Sequence, residues 1–599
     1  MDNNKIFHLG LCMAGSVSAG AYTAGVVDFL HEALENWEEE RKNGATDIPD
    51  HQVIIDLLGG ASGGGITSAL TFFGLRNKIP HANLNPDGRT FTVDKDKNIY
   101  WKVWVELTKN DILDELLMDN DICEGYIPSL LNANFVDEVA EIFRQYIAHG
   151  EQMPDLPAYL NERAELFLTL FNVTGIKYNV KSKSSAATQQ FMSEHRDLSH
   201  FRWSDIYEDD GRMEISFDTA KNLESLLQSA KATGAFPVGL RARVVEREAK
   251  YIWDNPYFQK NGKFDKTSIN LGNQIKEESN VYKTINGDGG TANNEPIELC
   301  RDLLLKIRLD QYKDIQAEVD IDAASTTEKS IEKKKLTNSS VLLIDPFPSQ
   351  DFELKIPENE DAHLFSYLPK FIFALNAQLI FDAKDAFEAY DINNYGLHVI
   401  APSREGAIEP EYVIACGSLG GFGGFFNKDF RIHDYFLGRH NCQSFLRKYF
   451  VVDLNESNAQ NIECIQSILD AYKINPAAVK RFSYTDETGK QLVPIIPDVK
   501  LTSPVIVTVT DNGNESKTIT YSDPNPLPLY KLKKLDAGYF YQYRNDIKAR
   551  IRKIIKSLFN AGSLGDFAIN IAANAFDDKI ADKLLEVVIN DLKKRGLME

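Results

Sequence analysis

At 599 residues the chain can hold several domains, or one large domain with an appendix, and its hydrophobic content of 43% is ample for a core. A formal net charge of −21 and a pI near 5.1 argue against nucleic-acid binding and against purely electrostatic docking on anionic membranes. Six cysteines without a Cys-x-x-Cys pair exclude a disulfide framework, no cluster with metal-ligand spacing is visible, and no apolar run approaches the ~18 residues that span a bilayer.

The N-terminus leads straight into an apolar strand, so no signal peptide is expected and the protein is read as soluble and cytoplasmic, or peripheral to a membrane. Phe7 to Met13 reads as a buried first strand, Ala14 to Gly20 as a small-residue turn, and Tyr22, Val26, Phe29, Leu30, Ala33 and Trp37 as one face of a helix. Such a turn aims several backbone N–H groups at one point, which is what an oxyanion hole requires. A second unit follows. Val53 to Leu58 is an apolar strand, Gly60-Ala61-Ser62-Gly63-Gly64 is a tight turn, and Ile66 to Phe73 continues as a helix. The G-x-S-x-G spacing lifts the Ser62 hydroxyl above the sheet, near free N–H groups and the positive end of a helix dipole. On its own this pattern fits a passive serine in a Gly-rich turn equally well. No Lys-Ser or Lys-Thr follows the glycines, and the dinucleotide fingerprint is absent, so neither phosphate-loop reading applies.

Residues 81–155 read as an insertion, helical around Tyr100 to Leu117 and Asn134 to Ile147. Leu166 to Thr174 is a buried strand, and Tyr251-Ile252-Trp253 is expected to be an edge strand. In Asn286-Gly287-Asp288-Gly289-Gly290, glycines flank an aspartate, which lets other backbone or a serine hydroxyl approach; the plain reading is an Asx turn. The charged stretch 312–339 reads as a helix end and a linker, and Val341 to Ile344 as a late strand. Gly417 to Phe426 pairs glycines with phenylalanines. It fits a mobile apolar loop at an acyl-binding mouth or, as preferred, a buried turn where helix and strand pack closely. Val505 to Val509 and Thr518 to Tyr521 flank Asp511-Asn512-Gly513 and form a hairpin.

The tail from Tyr539 is helical. Phe540, Tyr543, Ile547, Ile551, Ile554, Ile555, Leu558 and Phe559 share one face, and Arg544, Lys548, Arg550, Arg552, Lys553 and Lys556 occupy much of the rest. It suits either an interfacial helix on anionic lipid or, as expected here, a helix docked on the protein with a solvated basic face. In that case Ile547, Ile551 and Ile554 should be buried.

Order and spacing together resemble the patatin-like phospholipase family. Gly60-Ala61-Ser62-Gly63-Gly64 matches the family's nucleophile motif, and Asp288-Gly289-Gly290 matches the D-G-G that supplies the aspartate of a Ser–Asp dyad. Gly20 to Val26 resembles the helix start after the family's oxyanion loop, and Ser229 to Pro237 its small-residue segment ending in Phe-Pro. Val341 to Phe347, and His433-Asp434-Tyr435 with Leu437-Gly438-Arg439 and Asn441-Cys442, look like segments of bacterial members. The resemblance runs from about residue 6 to about residue 450. One departure stands out. The family's loop is usually G-G-G-x-Arg/Lys-G, whereas this chain has Gly15-Ser16-Val17-Ser18-Ala19-Gly20. A β-branched Val17 tolerates positive φ poorly, so a different local backbone, or a hole with two donors, is expected.

The resemblance implies an α/β fold whose central, mostly parallel sheet is sandwiched by helices, with the hairpin and helices as a C-terminal extension. The expected organisation is a hydrolase domain over residues 1–450 and a C-terminal region over 451–599. It implies a calcium-independent serine lipid acyl hydrolase of phospholipase A type that needs no cofactor or metal. Ser62 would be the nucleophile and Asp288 the base. The backbone N–H groups of Gly15, Ser16, Val17 and Gly63 would form the oxyanion hole. The substrate would be a lipid or membrane-surface ester; a carboxylesterase or thioesterase, or a non-catalytic lipid-binding scaffold, is the alternative. A Ser–His–Asp triad competes with the dyad: of 11 histidines, His433 and His440 are the candidates by setting, and both are expected to be structural.

Overall fold

Apolar runs without polar alternation become strands covered on both faces, and the first two strands follow this rule. The computed structural model describes residues 5–107, 112–181, 189–208, 210–218, 221–253, 255–259, 269–271, 275, 277–318, 338–347, 395–404, 412–511, 517–536, 538–558 and 563–599. Strand β1 (Ile6–Met13) is buried throughout, and β2 (Gln52–Gly60) is buried from Ile55 onward. Each leads into a helix, α1 (Gly20–Lys42) and α2 (Ser62–Gly74). After α3 (Asn134–His149) come β3 (Leu160–Lys181), β4 (Gln189–Trp203), β5 (Met213–Ile215), α4 (Leu223–Thr233), β6 (Arg243–Glu248), β7 (Val281–Asp288) and α5 (Ile297–Glu318). Then follow β8 (Ser339–Ile344), β9 (Leu397–Ile400) and the long buried helix α6 (Lys428–Lys448).

The main sheet has the order β9-β8-β1-β2-β3-β7-β6, with β4 on β3 and β5 on β4. Neighbours from β9 to β3 are parallel, and β7 runs antiparallel to both β3 and β6. Side chains of β1 alternate between two apolar layers. Phe7, Leu9, Leu11 and Met13 face the layer that holds α1, α2 and α6, while Cys12 faces the layer built on Ile297, Cys300, Leu303 and Leu304 of α5. Helices thus cover both faces of a mostly parallel sheet. The first layer continues far along the chain, through Ile465, Ile468 and Leu469 of α7 (Ala459–Lys473) to Leu597 and Met598.

A small sheet is formed by β10 (Val451–Asp453), β11 (Tyr484–Thr485) and β12 (Gln491–Pro494). The expected hairpin is β13 (Ile506–Asp511) against β14 (Lys517–Ser522), with Asp511 opposite Lys517; Asn512 and Gly513 lie outside the described residues. The tail forms α8 (Arg544–Leu558) and α9 (Ser563–Lys594). Among the described residues no helix is long and apolar enough to cross a membrane.

Several expectations change. Tyr251-Ile252-Trp253 is a helical turn, not an edge strand: Ile252 and Trp253 donate to the Ala249 carbonyl at 3.0 and 3.1 Å, and β6 holds the edge instead. Helix α5 extends to Glu318, inside the stretch read as helix end and linker, and residues 319–337 of that stretch lie outside the described residues. In α8, Ile547, Ile551 and Ile554 are half-buried rather than fully buried. Arg550 on the basic face is not solvated: it pairs with Asp121 at 2.8 Å and donates to the carbonyls of Leu130, Ser129 and Met118. Phe559 lies outside the described residues.

Candidate active site

The parallel pairing of β1 with β2 brings Met13 beside Gly60, so both strand-to-helix turns leave the sheet at one end. Gly60 pairs with Leu168 of β3, and Asp288 at the end of β7 pairs with Leu170. The register therefore carries Asp288 to the level of the turn after Gly60. Ser62 and Asp288 are 226 positions apart in the chain, yet the Ser62 hydroxyl donates to Asp288 Oδ2 at 2.7 Å. Both residues are buried.

Ser62 stands at φ 51°, in the left-handed region that costs a non-glycine residue energy. The glycines around it explain how the turn closes. A Cβ on Gly60 would lie 2.3 Å from the Met13 carbonyl oxygen, and one on Gly64 would lie 2.3 Å from those of both Met13 and Ala14. The Ser62 N–H is tied to Thr233 Oγ1, at the end of α4, at 2.9 Å.

Asp288 caps a single helical turn and accepts the Gly290 N–H on Oδ1 at 2.7 Å. Gly289 must lack a side chain because a Cβ there would meet the Thr169 carbonyl oxygen at 2.1 Å. Burial pushes the Asp288 carboxyl up to about 7, and the hydrogen bonds from Ser62 and Gly290 only partly offset it. Such a carboxylate is matched to accept a hydroxyl proton near neutral pH. No described histidine bonds to Ser62. His433 pairs with Asp434 at 2.7 Å and His440 with the Leu527 carbonyl at 2.5 Å.

The turn after β1 departs from expectation in two ways. Val17 does adopt positive φ, 47°, despite its β-branch. Residues 417–424 enforce it. Ser18 Oγ donates to the Gly421 carbonyl and accepts the Gly424 N–H at 2.8 Å, and a Cβ on Gly421, itself at φ 102°, would stand 3.1 Å from Val17 Cβ. The paired-glycine segment is thus a turn packed onto this loop. Second, the Gly15 N–H donates to the Asn294 carbonyl at 3.0 Å, which removes Gly15 from the expected donor set. The N–H groups of Ser16, Val17 and Gly63 make no hydrogen bond with a described residue. Ser16 Oγ is buried without a partner, beside Gly63, where a Cβ would meet it at 2.3 Å.

Asn294 escaped the sequence reading. Its side-chain oxygen lies where a Cβ on Gly15 or on Gly290 would have to go, at 2.0 and 2.7 Å, so it joins the β1 turn to the Asp288 turn. No local signal distinguishes it from neighbouring Asn293. Asp345 was passed over as part of a strand end. It is buried, its carboxyl pushed up to about 6 by burial and partly offset by the Phe347 N–H, and it follows Ile344, whose carbonyl accepts the Ala14 N–H at 3.0 Å. Beside Val17 lies an apolar wall of Leu107, Phe135, Phe236, Leu240, Phe422 and Phe425.

Residues 11–301 match the model of the family described as patatin-like phospholipase. A protein of Sinorhizobium fredii described as the uncharacterized protein y4iI is 29% identical over 534 residues, which is 83% of this chain and 71% of that protein.

Proposed function

The chain carries a patatin-like phospholipase domain over residues 11–301, and from that premise we propose that it is a serine lipid acyl hydrolase of phospholipase A type working through a Ser62–Asp288 dyad. The observation that carries this reading is the 2.7 Å hydrogen bond between two buried groups, one of them a carboxyl raised to about 7. Asp288 takes the hydroxyl proton as Ser62 Oγ attacks the ester carbonyl. The tetrahedral oxyanion is held by the N–H groups of Ser16, Val17 and Gly63, where loss of one donor typically costs ~10²–10³ in rate. Protonated Asp288 then gives its proton to the departing alcohol. Water, deprotonated by Asp288, releases the fatty acid from Ser62. The phenylalanine-rich wall beside Val17 offers an apolar surface for the acyl chain.

A fluorophosphonate probe tests the reading, because it reacts with an activated serine. The wild type should be labelled at Ser62 and should release fatty acid from phospholipid vesicles without calcium. Label that persists in Ser62→Ala, or vesicles left intact by a labelled wild type, would overturn the nucleophile or the lipid substrate respectively.

A further inference from the structure

On the outer half of α1, well beyond its start at the β1 turn, three metal-binding side chains converge that the reaction above does not use. His31 and Glu35 lie one helical turn apart on α1, and His81 comes from the segment that follows α2. Their ligand atoms all lie within 4.8 Å of one another. His81 Nε2 is 2.8 Å from one Glu35 oxygen, and His31 Nε2 is 3.3 Å from the other.

We propose that His31 Nε2, His81 Nε2 and the Glu35 carboxylate bind one zinc ion. Tetrahedral zinc with bonds of about 2.0–2.1 Å spaces its ligands by about 3.3 Å; each imidazole is already near that distance from a Glu35 oxygen, and the widest separation of the cluster, up to 4.8 Å, closes by a side-chain movement of up to about 1.5 Å. Two imidazoles and one carboxylate favour zinc over magnesium or calcium. The ring orientations agree. His81 Nδ1 lies 2.9 Å from the fully buried Asp28 carboxylate, the carboxylate–histidine pairing that holds a ligating imidazole with its other nitrogen facing the metal. His31 turns Nε2 toward Glu35 and the Tyr159 hydroxyl, 3.1 Å away, while Nδ1 is buried without a partner, so zinc on Nε2 would take the place of the tyrosine contact. Glu35 opens onto a cleft of about 700 Å³ whose lining carries Glu38, Glu39, Asp94, Glu151 and Asp155 against Lys42, Lys78 and Lys97, a net acidic approach for a cation. The ion would clamp the helix that follows the β1 turn to the segment that follows the Ser62 helix.

The other occupant of this site is a proton on His81, shared between Asp28 and Glu35. Calorimetric titration of the chelator-treated full chain with zinc chloride separates the two. The expected result is one zinc per chain with micromolar or tighter Kd and a Tm raised by several degrees. Cobalt(II) should give the intense visible bands of a tetrahedral site. His81→Ala should abolish both signals. Glu35→Gln, at a side chain 27% exposed, should weaken binding by about tenfold or more even if His81→Ala fails to fold. A wild type that takes up no zinc, or zinc that raises Tm equally in wild type and Glu35→Gln, would overturn the proposal. Fluorophosphonate labelling of Ser62 reads the hydrolase site separately, so either reading can fail alone.

Discussion

Two turns leave the same end of neighbouring strands, and both hold a non-glycine residue in the left-handed region, Val17 at φ 47° and Ser62 at φ 51°. They differ in what holds them. The Ser62 turn is closed by its own glycines, which let Gly60 and Gly64 lie against the Met13 and Ala14 carbonyls of the next strand. The Val17 turn has lost such glycines and is held from 403 positions away, by Ser18 bonded to Gly421, and by Asn294 at Gly15. A strained turn can thus be kept by local sterics or by a distant clamp. The first is robust to changes elsewhere; the second makes the proposed oxyanion donors depend on the segment 417–424 and whatever supports it.

The largest test removes the chemistry and leaves both turns intact. Ser62→Ala and Asp288→Asn should each lower kcat on a phospholipid or p-nitrophenyl ester by about 10³-fold or more with little change in circular dichroism. Near wild-type turnover in either variant would end the dyad.

Next come the two kinds of support. Gly64→Ala drives a Cβ into two carbonyl oxygens at 2.3 Å and should cost about 3 kcal/mol of stability, or prevent folding. Gly421→Ala presses on Val17 at 3.1 Å instead and should lower kcat by about 10- to 100-fold with a smaller fall in Tm. If Gly421→Ala left kcat unchanged while Tm fell, residues 417–424 would support the fold without governing the donors.

The pH dependence isolates Asp288. Its carboxyl titrates near 7 in the folded chain against an ordinary 3.8. In its proposed role as base it must be ionised, so kcat/KM should rise about tenfold per pH unit up to about 7 and then level off. The folded state binds the extra proton between those two values. This group's contribution to stability is therefore full below about pH 4 and lost as pH rises through 7. Asp288→Asn escapes that loss, so its Tm advantage over wild type should grow from pH 4 to pH 8. An advantage that stays constant would mean Asp288 is not held protonated.

The smallest effect lies furthest out. Asp591 of α9 accepts from Ser418 Oγ at 2.6 Å and from the Leu419 N–H at 3.2 Å, just before the Gly421 turn. Asp591→Asn should lower kcat about two- to threefold, the size of one weakened hydrogen bond. A Ser62→Ala-sized loss would make α9 part of the clamp in its own right.

The sequence by itself determined the features whose cause is local. The apolar runs of β1 and β2 read as buried strands, the glycines around Ser62 and Asp288 mark turns open to close backbone approach, and the β13–β14 hairpin follows from alternation around turn residues. Tertiary structure decided the rest, because its causes sit on distant segments. Val17 accepts positive φ only under residues 417–424. Gly15 loses its N–H to the carbonyl of Asn294, far along the chain. Arg550 is buried because Asp121 and three carbonyls surround it, and Tyr251 to Trp253 coil back onto the Ala249 carbonyl. His81 meets His31 and Glu35 only once α1 and α2 are docked on the sheet. Sterics and periodicity act over a few residues and can be read along the chain; relief of strain and the partners of buried polar groups are set by whichever segments packing brings together.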